Sequence, residues 1–368
     1  LRGAGLGVNL ASLRQAKLSK LSSEYQLRGF VEDLVSQVEQ TYWDCLLAKR
    51  KIAIFEKSLK VAEEQATEVE ERIRVGKLAE TERAAAASEV AQRRSSLIDA
   101  RSALTTTRIR LMRLLNPSEE ALRYTEVNLN TEPVMPEISL EYVEESVAVA
   151  KRMRPDLNQA RLQIEDDELE LVKTKNGLLP KLDLFANLGQ DLSRTAYAET
   201  FQVSREDLRD RNYSTQIGAQ FSYPIGNRAA RAANTGAHLS RKADLEALRN
   251  MTQLAEQDVR TAYVEVGRSQ EQIAATVATR KLQEQTLDAE TEKFRIGRST
   301  TLLVAQAQRD LLSAQINEVQ AQASFLKAIV NLYAVEGSLL ERRGVQCPGR
   351  EPVELEDAPP SPAIHRAG

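Results

Sequence analysis

The chain has 368 residues, 50 Lys and Arg against 53 Asp and Glu, and a formal net charge of −3, which leaves no basic footprint for nucleic acid. Aromatic residues make up 5%, only 16 residues are glycine, and Ala, Leu, Glu, Gln and Arg abound, a composition of long helices more than of a round core. There is no apolar run of about 18 residues of the kind a transmembrane helix needs, and Cys45 and Cys347 lack the CxxC or histidine company of zinc or redox chemistry.

Leu1–Gly5 reads as the end of a strand, and a chain that opens on Leu1 with no signal peptide is expected to have an upstream stretch. From about Val8 to Val75 only Gly29 interrupts a helical pattern in which Ile52, Phe55, Leu59, Ala62, Ala66, Val69 and Ile73 alternate steps of three and four. That is an a/d seam and predicts coiled-coil packing. The pattern turns at Gly76, resumes with Val90, Leu97, Leu104 and Leu111 a heptad apart, and stops at Asn116-Pro117. A polar, Pro-containing connector runs to about Ile138, then a helix from about Leu140 to Asn176 that Pro155 is expected to kink or restart.

The period then changes. In Leu182–Gly189 the even positions are apolar, and in Tyr213–Tyr223 the odd positions largely are, so two strands with dyad alternation are predicted, joined by a polar segment from Gln190 to Asn212. They suit a half-buried soluble sheet or, at about ten residues each, a tilted crossing of a membrane barrel. A lone hairpin beside very long helices has little to pack on and is marginal in water, whereas closure with copies from other chains removes its edges. A second long helix from about Arg228 to Arg295, a turn at Gly297, and a seam through Leu312, Ile316, Val319, Ala323, Leu326, Val330 and Tyr333 complete the ordered part. From about Gln346 the Pro-rich end reads as disordered.

The chain also repeats itself. A shift of 221 positions lays Glu71–Lys77 on Glu292–Arg298 and aligns Gly5 with Gly226, Ala16 with Ala237, Val38 with Val259 and Tyr42 with Tyr263, without a gap over roughly the first 117 residues. The expected organisation is a first repeat over 1–117 with its tip near Gly76, a connector and helix over 118–176, and a strand pair over 177–225 with its loop at 190–212. A second helical hairpin over 226–341 has its tip near Gly297, and a tail covers 342–368.

Leu1-Arg2-Gly3-Ala4-Gly5, Arg154-Pro155-Asp156-Leu157, Leu179-Pro180-Lys181-Leu182, Tyr223-Pro224-Ile225-Gly226-Asn227-Arg228 and the two Arg-Val/Ile-Gly turns, in that order and spacing, resemble the outer membrane factor (TolC-like) family of efflux channels. The resemblance implies a mainly α fold with a small β part: coiled-coil hairpins forming a periplasmic α-barrel, and strands contributed to a trimeric transmembrane β-barrel. It implies a homotrimer in the outer membrane lipid, docked through its hairpin tips onto a periplasmic adaptor protein and an inner-membrane pump. The function it implies is passive export of small molecules or proteins, without cofactor or metal. A full-length member supplies an N-terminal helix and two strands before the position of Leu1, of which this chain holds the last residues.

On that reading Arg74, Val75, Gly76, Lys77, Arg295, Ile296, Gly297 and Arg298 form adaptor-binding tips. Glu82 stands where members can carry an aspartate that links the closed aperture, and it is read either as such a link or as a solvated tip charge. Phe294 and Ser299 stand where a tyrosine and an arginine can occur, and Leu303 and Gln306 replace possible gate aspartates. Leu182, Leu184, Leu188, Tyr213, Ile217 and Phe221 are expected to face lipid, and Asp183, Asn187, Ser214, Gln216 and Gln220 the lumen. No catalytic constellation accompanies His238 or His365. The rival reading is a soluble coiled-coil scaffold or adaptor without a pore.

Overall fold

The structure is a computed structural model that describes residues 1–117, 142–191 and 212–354. The connector 118–141, the loop 192–211 and the tail 355–368 lie outside the described residues. The elements run α1 (Leu6–Asn9), α2 (Ala11–Arg74), α3 (Thr81–Leu115), α4 (Val143–Met153), α5 (Pro155–Gly177), β1 (Lys181–Asp191), β2 (Asn212–Ser222), α6 (Arg228–Arg295), α7 (Thr301–Val335) and α8 (Leu339–Arg342).

Good helix formers and i,i+3 or i,i+4 ion pairs such as Arg72–Glu68 (2.5 Å), Lys293–Glu290 (2.6 Å) and Arg93–Glu89 (2.5 Å) support the long helices. Two of them are stopped by a residue that accepts a left-handed backbone. Asn116 caps α3 at φ 41° just before Pro117, and Gly337, at φ 68°, closes α7.

By contacts the chain forms two compact units. One comprises residues 1–23, 160–249 and Glu354, and holds the strand pair. Here Asn234 Nδ2 reaches Thr174 Oγ1 (3.2 Å), Arg241 pairs with Glu168 (2.7 Å), and Asn227 Nδ2 donates to the Leu178 carbonyl (3.4 Å). Within the acidic run at 165–168 Asp167 is buried, and burial together with the carboxyl of Asp244 raises its pKa to about 6. Leu1–Gly5 form turns instead of a strand end. Gly3 and Gly5 sit at φ 81° and 109°, which extended pairing does not allow, and the ladder-like contact is Arg2 N–H to the Pro180 carbonyl (2.8 Å).

The other unit comprises residues 24–159 and 250–353. Its core follows the predicted seams: Ala62, Val69, Leu97, Leu111, Leu312, Ala323, Leu326 and Val330 are all buried. Ala262, Val266, Phe325, Ala328, Ile329 and Leu332 cluster with Tyr263 and Tyr333 against them, so Tyr263 is a packing residue. Pro155 restarts the helix as expected. Arg154 donates through Nε and Nη2 to both carboxylate oxygens of Asp156 (3.1 and 2.8 Å) and through Nη1 to Asp258 (3.1 Å), while Asp156 accepts from the Leu157 amide (2.9 Å). Gly29, an apparent flaw in α2, gives room to Pro155, whose Cβ lies 3.6 Å from where a Cβ on Gly29 would stand.

The expected disorder from Gln346 is corrected as far as Glu354. The Tyr25 hydroxyl donates to the Glu351 carbonyl, the Val353 amide donates to Asn158 Oδ1 (3.0 Å), and a Cβ on Gly349 would meet Glu24 and Tyr25 at 3.2 Å. Side chains on α2 and α5 thus satisfy backbone groups that composition alone leaves unplaced.

Candidate functional site: a two-faced strand hairpin and two matched helix turns

Strands β1 and β2 pair antiparallel with Leu182 opposite Phe221, Leu184 opposite Ala219, Ala186 opposite Ile217 and Leu188 opposite Thr215. Residues directly opposite share a face. One face therefore carries the register positions of Leu182, Leu184, Leu188, Tyr213, Ile217 and Phe221, and the other those of Asp183, Asn187, Ser214, Gln216 and Gln220. The sorting predicted strand by strand survives pairing. Leu184 and Ile217 are each 79% exposed in the single chain, an apolar surface with no covering partner among the described residues. The side chains of Leu188, Tyr213 and Ser214 lie outside the described set.

One large residue breaks the polar face. Phe185 sits opposite Gly218 and lies across it: a Cβ on Gly218 would come within 2.5 Å of the ring. The alternation gave one signal, since Phe185 is the bulky apolar side chain at an odd position of β1, but the partner that accepts it is visible only in the register. Lys181 and Asp183, two apart on this face, pair at 2.6 Å.

The helix turns are built alike. In the first, Gly76 (φ 74°) donates to the Ile73 carbonyl (2.9 Å) and Lys77 to that of Arg72 (2.8 Å); in the second, Gly297 (φ 77°) donates to Phe294 (3.1 Å) and Arg298 to Lys293 (2.8 Å). Both are Schellman closures, which consume the last helical carbonyls and need φ > 0 at the glycine. Val75 and Ile296, one residue before each glycine, are 61% and 65% exposed. Arg74 and Lys77 flank Val75 in the chain, and Arg295 and Arg298 flank Ile296; all four are exposed, with Arg295 paired to Glu292 at 3.4 Å.

The turns differ on their C-terminal side. Thr300 caps α7 by accepting from the Leu303 amide (3.3 Å), whereas its repeat mate Ala79 has no side chain to do so. Ser299 donates to Glu290 (2.8 Å), and Phe294 lies under the Arg72 guanidinium, 4.5 Å from ring centroid to carbon. Glu82 stands in the first turn of α3, and its carboxylate makes no hydrogen bond or ion pair among the described residues. The Arg72–Phe294 contact is not legible in the sequence, because it joins the two repeats through positions that are not repeat mates.

Among the described residues no helix is long and apolar enough to cross a membrane, a fact silent on β-barrels, and no group of three or more metal-ligating side chains occurs. Long paired helices with a strand hairpin that is apolar on one face and largely polar on the other define the class of outer membrane channel proteins. The sequence profile of the outer membrane efflux protein family matches residues 6–117 and 147–338, and the chain belongs to that family. It is an outer membrane protein of the Gram-negative type, an efflux channel component.

A relative in Pseudomonas aeruginosa, the pyoverdine export outer membrane protein OpmQ, is 27% identical over 341 residues, 90% of this chain and 67% of that protein. Among solved structures, the Campylobacter jejuni CmeC outer membrane channel superposes with a TM-score of 0.76 at 17% identity, over 90% of this chain and 68% of that one. The outer membrane protein VceC of Vibrio cholerae gives 0.75 at 18% identity over 90% and 76%.

Proposed function

We propose that three copies assemble through their strand hairpins and helices into one passive export conduit. In it Leu182, Leu184, Leu188, Tyr213, Ile217 and Phe221 meet lipid, and Asp183, Asn187, Ser214, Gln216 and Gln220 line the lumen. The observation that carries this reading is the register: the hairpin has an exposed apolar face with no cover among the described residues and a largely polar reverse, as in a barrel wall with lipid on one side and water on the other. The open outer edges of β1 and β2 then pair with neighbouring copies.

The two turns of each chain dock on a periplasmic adaptor that links the channel to an inner-membrane pump, with Val75 and Ile296 as apolar contacts and the flanking arginines and Lys77 meeting acidic groups. Energy comes from the pump, so the chain itself carries out no chemistry. The name of the relative OpmQ favours a small-molecule cargo over a protein. Mass measurement of the full chain extracted from outer membranes in detergent tests the assembly. A particle of three chains is expected, and a monomer that stays in solution without detergent contradicts it.

A further inference from the structure

Near the first turn, helices α2, α3 and α7 line a partly open cavity of about 280 Å³. Its walls are largely apolar, from Ala66 and Val69 on α2, Ala86 on α3, and Leu302 and Ala305 on α7, with Gln65 and Thr301 as neutral polar groups. Three charged side chains line it. Arg309 on α7 pairs with Glu89 on α3 at 2.9 Å, and Glu89 also lies 2.5 Å from the buried Arg93, so each of those charges has an opposite charge beside it, although Glu89 Oε1 and Arg93 Nη2 make no hydrogen bond. Glu82 remains, half-buried in the cavity lining, its carboxylate without a hydrogen bond or ion pair among the described residues. Two carboxylates nearby in sequence do have a cation: Glu68 has Arg72, and Glu80 has Arg83 (3.0 Å).

We propose that this cavity is a binding site for a small amphipathic ammonium ion, its ring among the alanines, Val69 and Leu302 and its charged nitrogen on the Glu82 carboxylate. Charge complementarity selects the class. A carboxylate without a cation in a largely apolar recess repels an anion and offers a neutral guest at most a hydrogen bond, while a cation also neutralises it in a partly desolvated place. The volume sits just under the usual range for ligand pockets, about 300–1,000 Å³, which limits the guest to about one ring and a short arm. A guest there touches both helical hairpins of the protomer, α2 and α3 from the first and α7 from the second. Occupancy therefore fastens them together beside the Arg309–Glu89 bridge. Binding in this recess stands or falls separately from transport, since it needs only the folded protomer.

The test uses the full chain in detergent micelles, titrated with 2-phenylethylammonium and with its neutral isostere 2-phenylethanol, by calorimetry and ligand-observed NMR. The ammonium ion is expected to saturate at one per chain and the alcohol to bind at least about tenfold more weakly, as for a charge-assisted contact. Glu82→Gln brings the ammonium ion to the alcohol's level, and Ala305→Met, which fills the recess, abolishes binding of both while the melting profile stays native. Equal affinity for the two probes, unchanged ammonium binding in Glu82→Gln, no saturable binding at all, or retained binding in a folded Ala305→Met chain each overturns the site. Should Glu82→Gln fail to fold, the wild-type comparison of the two probes and the Ala305→Met chain decide the matter.

Discussion

The Arg72 guanidinium lies 4.5 Å from the centroid of the Phe294 ring, joining the end of α2 to the end of α6 one turn short of each hairpin tip. The repeat mates of these residues are Lys293 and Ile73, which form no such pair, so the duplicated hairpins are tied by a contact that the duplication itself did not create. A cation over an aromatic face contributes about 0.5–1 kcal/mol at an exposed site. Replacing Phe294→Leu keeps bulk and removes the aromatic face. Spin labels at positions 75 and 296 are then expected to show a broader distance distribution, with separated tips about two- to fivefold more populated. Arg72→Ala has the same effect, and the double variant adds little to either. Additive broadening would mean that the two residues act separately.

Gly76 and Gly297 hold φ of 74° and 77°, and a Cβ at either would meet open space. The cost of substitution is therefore conformational, about 1–2 kcal/mol for alanine in the left-handed region and less for asparagine. Gly76→Ala and Gly297→Ala are expected to lower the melting temperature of the full chain by a few degrees, with Gly→Asn falling between. A ranking in which alanine matches glycine would remove the Schellman closures from the account.

Gly218 presents the opposite case, because the Phe185 ring fills the space a side chain would need. Gly218→Val is expected to reduce the yield of folded, heat-modifiable barrel on semi-native gels severalfold. Phe185→Ala in the same chain restores it. Failure of that rescue would show that position 218 needs glycine for backbone reasons instead.

Burial pushes the Glu32 carboxyl up to about 7, opposed by Arg28 and reinforced by the nearby Glu341 and Asp156. Arg28, 1% exposed, meets Glu32 at 3.5 Å, the Gly337 carbonyl at 3.4 Å, and Glu341, which ties α2 to α8. Because the folded pKa lies above the ordinary carboxylate value, the stability from a neutral Glu32 is present in full below about pH 4.5 and is lost as pH rises through about 7. The full loss is on the order of 3 kcal/mol. Glu32→Gln is expected to flatten the stability profile between these limits and to raise stability at pH 8, with Glu341 still paired to Arg28. Urea midpoints of the full chain at pH 5 and pH 8 measure it, and a variant with the wild-type slope rejects the assignment.

Spacing alone locates the long helices, because Ile52 to Ile73 and Leu312 to Tyr333 alternate threes and fours and only a helix turns that rhythm into one buried stripe. It also sorts the strand faces, since Leu184 and Ile217 owe their side to parity. The features that escape it are relational. Phe185 over Gly218 needs the register between strands, and Arg72 with Phe294 needs two hairpins more than 200 positions apart brought together. The packed stretch up to Glu354 depends on single hydrogen bonds from Tyr25 and to Asn158, which leave no periodic trace. Leu1–Gly5 resembles a strand end by composition, but the positive φ of Gly3 and Gly5 makes it a turn.

The central claim is that the polar face of the β1–β2 hairpin lines a conducting pore while the apolar face meets lipid. Single cysteines at Asn187 or Gln216 on one face and at Leu184 or Ile217 on the other, with Cys45 and Cys347 replaced by serine, test it in planar bilayers treated with a positively charged, water-soluble thiol reagent. The predicted result is a stepwise fall in single-channel conductance for Asn187→Cys and Gln216→Cys and none for Leu184→Cys and Ile217→Cys. Block at Leu184→Cys and Ile217→Cys with none at the polar positions, or a folded assembly that never conducts, would contradict it.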